Sequence, residues 1–139
     1  MIRMIILSVV LSVIYYTSFG ELNTQAKTVR LSEIVKSGKS TIVAAWGSWD
    51  ANCKGQTVNI DVLQNPKHGK VSPRVGRRTI QSAQAGTLGK CRGKIIKGLI
   101  LYYKSNAGYR GRDKMKARVT WPHVKNSRPT DYIITITVR

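Results

Sequence analysis

The sequence predicts an all-β fold: a small antiparallel sandwich of two sheets, with a small closed β-barrel as the alternative. Three observations predict it. From Ser40 onward the 139-residue chain shows no helical periodicity, its apolar runs are short and rich in β-branched residues, and Gly, Pro, Asn and Asp punctuate them. About seven such runs at roughly 8- to 12-residue intervals are the rhythm of two packed sheets. The length excludes α/β barrels and doubly wound nucleotide-binding folds, which need roughly 200 residues or more.

The first element is not part of that domain. Residues 1–20 read MIRMIILSVVLSVIYYTSFG, with one cation at Arg3, an apolar run from Met4 to Tyr16 and then small residues. This is the layout of a secretory signal peptide. Ser18 and Gly20 set a cleavage before Glu21, and Thr24 and Ala26 set one before Lys27. As a helix the apolar run reaches only about 20 Å, short of the ~30 Å hydrocarbon core, so the mature form is expected to have no transmembrane helix and to be secreted or periplasmic. Residues 21–39 are polar and are expected to form a flexible lead-in, with a leading strand or a helical turn around residues 31–35. The folded domain is expected over residues 40–139.

Within it, residues 41–49 (TIVAAWGSW) open the strands. Residues 57–63 (TVNIDVL) alternate, placing Val58, Ile60 and Val62 on one face, and Asn65-Pro66 ends the run because Pro cannot continue a ladder. Residues 70–75 and 79–81 are weaker candidates. Residues 94–103 (KIIKGLILYY) are apolar on both faces, as in a central strand. In residues 114–121 (KMKARVTW) Met115, Ala117, Val119 and Trp121 point one way, and the closing run alternates Tyr132, Ile134, Ile136 and Val138 with polar neighbours. The single Phe, Phe19, leaves with the signal peptide, so the core is expected to use Val, Ile, Leu, Tyr and the three Trp.

Cys53 and Cys91 are the only cysteines. In an exported chain they read as one structural disulfide. It would close a loop of about 38 residues and stabilise the fold by roughly 3 to 4 kcal/mol. A metal site or a pair of reactive thiols are the competing readings, and neither Cys has a second Cys or a His within two to five residues.

No catalytic set is visible. Beyond Ser40 the acids are Asp50, Asp61, Asp113 and Asp131, scattered and without Glu, and His68 and His123 are isolated. Nothing pairs two carboxylates, a nucleophile with a base, or His residues at metal-ligand spacing. The chain is expected not to be an enzyme and to need no cofactor or metal.

Two stretches go beyond composition. Residues 64–71 (QNPKHGKV) and 102–119 (YYKSNAGYRGRDKMKARV) together resemble the signature of bacterial exported single-domain Ig-like or cadherin-like β-sandwich domains: Pro-x-His-Gly-x-Val, then a Tyr followed by Gly-Tyr-x-Gly-x-Asp before an alternating strand. The matching positions are Pro66, His68, Gly69 and Val71, then Tyr103, Gly108, Tyr109, Gly111, Asp113, Met115 and Val119. The resemblance implies an Ig-like sandwich in which Pro66, His68, Gly69, Tyr103, Gly108, Tyr109, Gly111 and Asp113 are fold markers. Gly69, Gly108 and Gly111 would supply positive φ in turns, Tyr109 would plug the sheet corner, and Asp113 would accept backbone hydrogen bonds. Ser105 stands where such domains commonly have Pro, and no acidic linker motif for Ca²⁺ is present.

The remaining signal is charge. With 24 basic and 6 acidic residues the chain carries a net +18. The signal peptide contributes only Arg3 to this, so the field belongs to the exported domain. The densest patch is Arg110, Arg112, Lys114, Lys116 and Arg118, the last four on one strand face over about 20 Å. These are the candidate anion-binding residues, with lipopolysaccharide, anionic lipid or an acidic glycan as the expected polyanion partner. The competing readings are a secreted or periplasmic protein–protein interaction module or inhibitor that binds an unknown protein partner at a sheet edge, and charge that serves solubility or reflects composition. Nucleic acid is the least expected partner of an exported chain.

Overall fold

A computed structural model describes residues 26–81 and 89–139; the signal peptide expected over residues 1–20 lies outside the described residues. Nine strands follow in order: β1 Lys27–Val35, β2 Ser40–Trp46, β3 Ser48–Trp49, β4 Gly55–Gln56, β5 Asn59–Gln64, β6 Gly69–Thr79, β7 Ile95–Ser105, β8 Gly111–Thr120 and β9 Thr130–Val138. There is no helix among the described residues.

The strands form a four-stranded sheet in the order β1-β9-β8-β5, a three-stranded sheet β2-β7-β6, and a short ribbon β3-β4. The two main sheets stay open, so this is the sandwich and not the barrel. With β2, β7 and β6 facing β5, β8 and β9, the connectivity is that of an immunoglobulin-like sandwich. All pairs are antiparallel but one. β1 runs parallel to β9 from Lys27 opposite Thr130 to Val35 opposite Val138.

The strand expected as one alternative around residues 31–35 is present and begins earlier, at Lys27, so residues 27–35 are an edge strand and not a flexible lead-in, and this one pair departs from the antiparallel pattern of the sandwich. Eight of the nine β1 residues are exposed or only half-buried on the rim of the sheet, with half-buried Leu31 and buried Val35 packing on the core. The order of β1 therefore comes from a ladder to a strand a hundred residues away, a term absent from local sequence.

The core lies between the sheets. Val43, Trp46, Leu101 and Tyr103 from one sheet meet Val35, Met115, Ala117, Val119, Ile134, Ile136 and Val138 from the other. Alternation delivers this, because every second residue of β8 and β9 faces inward. Each fully buried Leu, Ile or Val contributes about 1.5–3 kcal/mol relative to exposure. A second cluster of Ile80, Cys91 and Ile96, with Trp49 and Cys53 packed against it, surrounds the disulfide. Cys53 and Cys91 are bonded, 38 residues apart.

The weak run expected at 70–75 lies in an eleven-residue strand, β6, which reaches Thr79 and leaves Ile80 and Gln81 of the second expected run outside it. Pro73, inside the first of those runs, is tolerated because among the described residues β6 pairs only with β7.

Candidate functional site

At one end of the sandwich a single carboxylate ties three elements together. Asp113, in β8 and 4% exposed, accepts hydrogen bonds at Oδ1 from the Lys67 and Lys114 backbone N–H groups and at Oδ2 from the His68 N–H and the Tyr103 hydroxyl, each at 2.9 Å. Burial works to raise its pKa, but the N–H groups of Lys67 and His68, the Tyr103 hydroxyl and the Lys114 N–H outweigh it, so the carboxyl sits below the ordinary aspartate value. Burial first, and then the hydrogen bond to Asp113, push the Tyr103 phenol well above its usual range.

The other fold markers gather around this clamp. The His68 ring stacks on Tyr109, centroids 4.1 Å apart and 7° from parallel. The Tyr109 hydroxyl donates to the Arg112 carbonyl at 2.8 Å. Pro66 is buried in the β5–β6 turn. Gly108 and Gly111 have φ of 76° and 139° and supply the expected positive dihedrals. Gly69 does not. Its backbone is ordinary, and the absent side chain matters instead: a Cβ there would lie 2.5 Å from the Tyr103 ring and 2.6 Å from the Lys104 carbonyl oxygen.

The clamp fixes the loop that carries Lys67 beside β8. Lys67, His68, Arg112 and Lys114, with Gln64 and Thr135, line a concavity of about 420 Å³ with Asp113 at its base. Because that carboxylate is already occupied by four donors, the cations around it have no acid to pair with there.

The structure divides the five predicted anion-binding residues. Arg112, Lys114, Lys116 and Arg118 share the outward face of β8, as the alternation requires. Two of them share one acid as partner. Asp131 on β9, directly opposite Arg118 in register, accepts from Arg118 Nε at 2.7 Å and from its Nη2 at 3.1 Å, and pairs with Lys116 Nζ at 2.9 Å. These are the only ion pairs among the described residues. The hydrogen bond from Arg118, then that from Lys116, lowers the Asp131 carboxyl to about 2 against opposing burial. The same bond raises the Arg118 pKa. Lys114 and Arg112 lie on the concavity with Lys67, while Arg110 is exposed in the β7–β8 turn and does not line it. The anion candidates thus contract to Arg112 and Lys114, joined by Lys67. The sequence signal for Asp131 was parity: it falls on the outward face of the neighbouring strand.

At the opposite end the three tryptophans do not all join the core. Trp46 is buried at 6% exposure, whereas Trp49 and Trp121 are half-buried at the surface. All three line one open cleft of about 420 Å³, with Tyr132 and Arg78. Trp46 and Tyr132 meet edge to face, centroids 5.1 Å apart at 67°. Among the described residues no group of His, Cys, Asp and Glu could hold a metal ion, and no helix is long and apolar enough to cross a membrane.

No protein-family model matches the chain, and no curated protein is similar to it. Among solved structures it is similar to the solution structure of amebosin, with a TM-score of 0.41 and 10% identity over 83% of this chain and 99% of that one. It is also similar to a chain from the structure of PbICP-C in complex with falcipain-2, with a TM-score of 0.45 and 10% identity over 86% of this chain and 95% of that one.

Proposed function

We propose that this chain is an exported, non-enzymatic binding module that docks on an anionic envelope component or host glycan through the concavity bordered by Lys67, Arg112 and Lys114. One observation carries the reading: three cations border a concavity whose single carboxylate, Asp113, is fully engaged by the protein's own donors. Phosphate, sulfate or carboxylate groups of a partner would meet three cations there, while the oxygens of Asp113 are turned to the protein's own donors. The disulfide supports the exported address, because such bonds persist in oxidising compartments. The grouping of His68, Gly69, Tyr103, Tyr109 and Asp113 about one clamp supports the resemblance to exported bacterial Ig-like domains.

The test is retention of the oxidised protein on heparin and on lipopolysaccharide across a salt gradient, beside a Lys67→Gln/Arg112→Gln/Lys114→Gln variant. The variant should elute at clearly lower salt, whereas Lys116→Gln/Arg118→Gln should move elution less, because Asp131 already occupies those two. Equal elution of the wild type and the first variant would sink the proposed site.

A protein partner is the second reading, and β2 favours it. Among the described residues no strand pairs with its outer edge, its seven residues include no charge, and Ile42 is 49% exposed. The opposite edge, β6, is blunted by Pro73 and by Lys70, Arg74, Arg77 and Arg78. Saturable, salt-resistant binding to one protein that is lost with Ile42→Lys would support this alternative.

A further inference from the structure

The tryptophan cleft lies about nine residues of strand away from the concavity, roughly 30 Å along β8 from Arg112 to Trp121, and nothing in the anion-docking reading uses it. Its walls come from segments far apart in the chain: Trp46 and Trp49 around the end of β2, Arg78 at the end of β6, Ile96 at the start of β7, and Trp121 and Tyr132 on either side of the β8–β9 connection. The chain has three tryptophans, and all of them converge here. Half-exposed indoles are costly to leave facing water, at about 25 cal/mol per Å² of apolar surface, and clustered aromatic exposure of this kind marks a recognition surface. The cleft volume falls within the roughly 300–1,000 Å³ of small-molecule sites.

The lining is not that of a lipid pocket. Ser48, Thr79, Gln81, Ser127 and Arg78 interrupt the aromatic wall, and a hydrocarbon ligand would bury these polar groups without partners, at about 1–3 kcal/mol each. Aromatic faces bounded by hydroxyl, amide and guanidinium groups instead suit a ligand that alternates C–H faces with ring hydroxyls, as a pyranose does. The cation selects further. Arg78 is seated by the missing side chain of Gly98, where a Cβ would come 3.3 Å from Arg78 Cδ and 2.7 Å from the Trp46 carbonyl oxygen. The guanidinium at the end of this packed stem offers a planar, two-pronged donor for a carboxylate. The Cys53–Cys91 bond ties the segment after β3 to the segment before β7, and Trp49 packs against it. The cleft is therefore held in shape before a ligand arrives, which lowers the ordering cost of binding.

We infer that the three-tryptophan cleft is a saccharide site selective for a sugar that carries a carboxylate, with Trp49 and Trp121 stacking on the ring and Arg78 receiving the acid. Tryptophan emission reports this cleft directly, because every tryptophan of the chain lies in it. The oxidised protein is titrated with oligogalacturonate, and separately with a neutral hexose oligomer of the same length, while emission is followed. The expected result is a saturable change with oligogalacturonate, at least tenfold weaker in Arg78→Gln and in Trp121→Ala, and weaker with the neutral oligomer for the wild type. Arg78→Gln keeps the Cβ that packs over Gly98 and replaces only the outer part of a half-buried side chain, so it keeps the test valid if Trp121→Ala unfolds. The Lys67→Gln/Arg112→Gln/Lys114→Gln variant should keep the emission change, which separates this site from the anion concavity. No emission change with either sugar, or a response equal in the wild type and Arg78→Gln, overturns the assignment.

Discussion

Replacing Asp113 with Asn changes one atom and removes one charge, and the hydrogen-bond geometry fixes the consequence. Oδ1 accepts from two backbone N–H groups, those of Lys67 and Lys114, and Oδ2 accepts from the His68 N–H and the Tyr103 hydroxyl. An amide has one oxygen and one NH₂. Placed with its oxygen at the Oδ1 position, it keeps both bonds there, and the Tyr103 hydroxyl can turn to accept, but the His68 N–H then faces a donor. The opposite orientation strands two backbone donors. The better orientation still loses one buried backbone bond and the charge assistance of the rest, which sums to about 2–4 kcal/mol. For a domain of this size that lowers Tm by on the order of 10 °C. Urea unfolding of the two proteins from pH 3 to 7 is the assay, with the slope expected to stay constant. The pH dependence follows from the direction of the Asp113 shift: its folded carboxyl titrates below the ordinary value. Its contribution is therefore present above the unfolded pKa of about 3.9 and declines as pH falls through that value toward the folded one. The gap between wild type and Asp113→Asn should be constant above about pH 5 and narrow below about 4. A variant within 0.5 kcal/mol of wild type, or a gap that widens in acid, would refute the clamp as the anchor of the Lys67 loop.

Three further perturbations test other parts of the account. Cys53→Ala with Cys91→Ala should lower stability by about 3–4 kcal/mol from loop-closure entropy alone, read as a shift in the urea midpoint, and should red-shift tryptophan emission as Trp49 loses its packing; an unmoved midpoint would contradict the staple. Asp131→Asn frees Lys116 and Arg118, so retention on heparin should move to higher salt. Because the folded Asp131 carboxyl titrates at about 2, the wild type should keep both pairs down to that pH, losing their stabilisation only between about 3.9 and 2, and a variant with unchanged retention would show the pairs do not mask the cations. Gly69→Ala drives a Cβ into the Tyr103 ring and the Lys104 carbonyl, so it should destabilise by roughly 1–3 kcal/mol as measured by thermal unfolding, whereas a neutral result would mean the turn has room to shift.

Strand alternation was legible wherever one face is buried and the other wet. Met115, Ala117 and Val119 against Lys114, Lys116 and Arg118 show it on β8, and Ile134, Ile136 and Val138 show it on β9. It failed for β1, where Lys27, Thr28, Arg30 and Ser32 are exposed on an edge and order comes from the parallel ladder to β9. It broke β6 at residues 76–78, where Gly76, Arg77 and Arg78 carry no apolar alternation and only the ladder to β7 keeps the strand going. The motif residues located the clamp and the turn glycines Gly108 and Gly111, but assigned Gly69 a dihedral role when the constraint is steric. Counting cations along β8 did not show that Lys116 and Arg118 are paired, because a charge row says nothing of the strand beside it, and Asp131 emerges only once register is known. The tryptophan cleft was invisible for the same reason. Trp46, Trp49 and Trp121 are brought together by the order of the strands and not by any local pattern.

The central claim is that a localised set of cations, not the overall charge, receives the anionic partner. Backbone amide shifts recorded while the oxidised protein is titrated with inorganic tripolyphosphate, which has no ring to enter the cleft, test it most directly. Saturable changes confined to residues 66–69 and 110–114, with the strands around Lys97 and Arg139 silent, are the result this account predicts. Changes of equal size spread over β6, β7 and β8, or changes centred on Lys116 and Arg118, would contradict it.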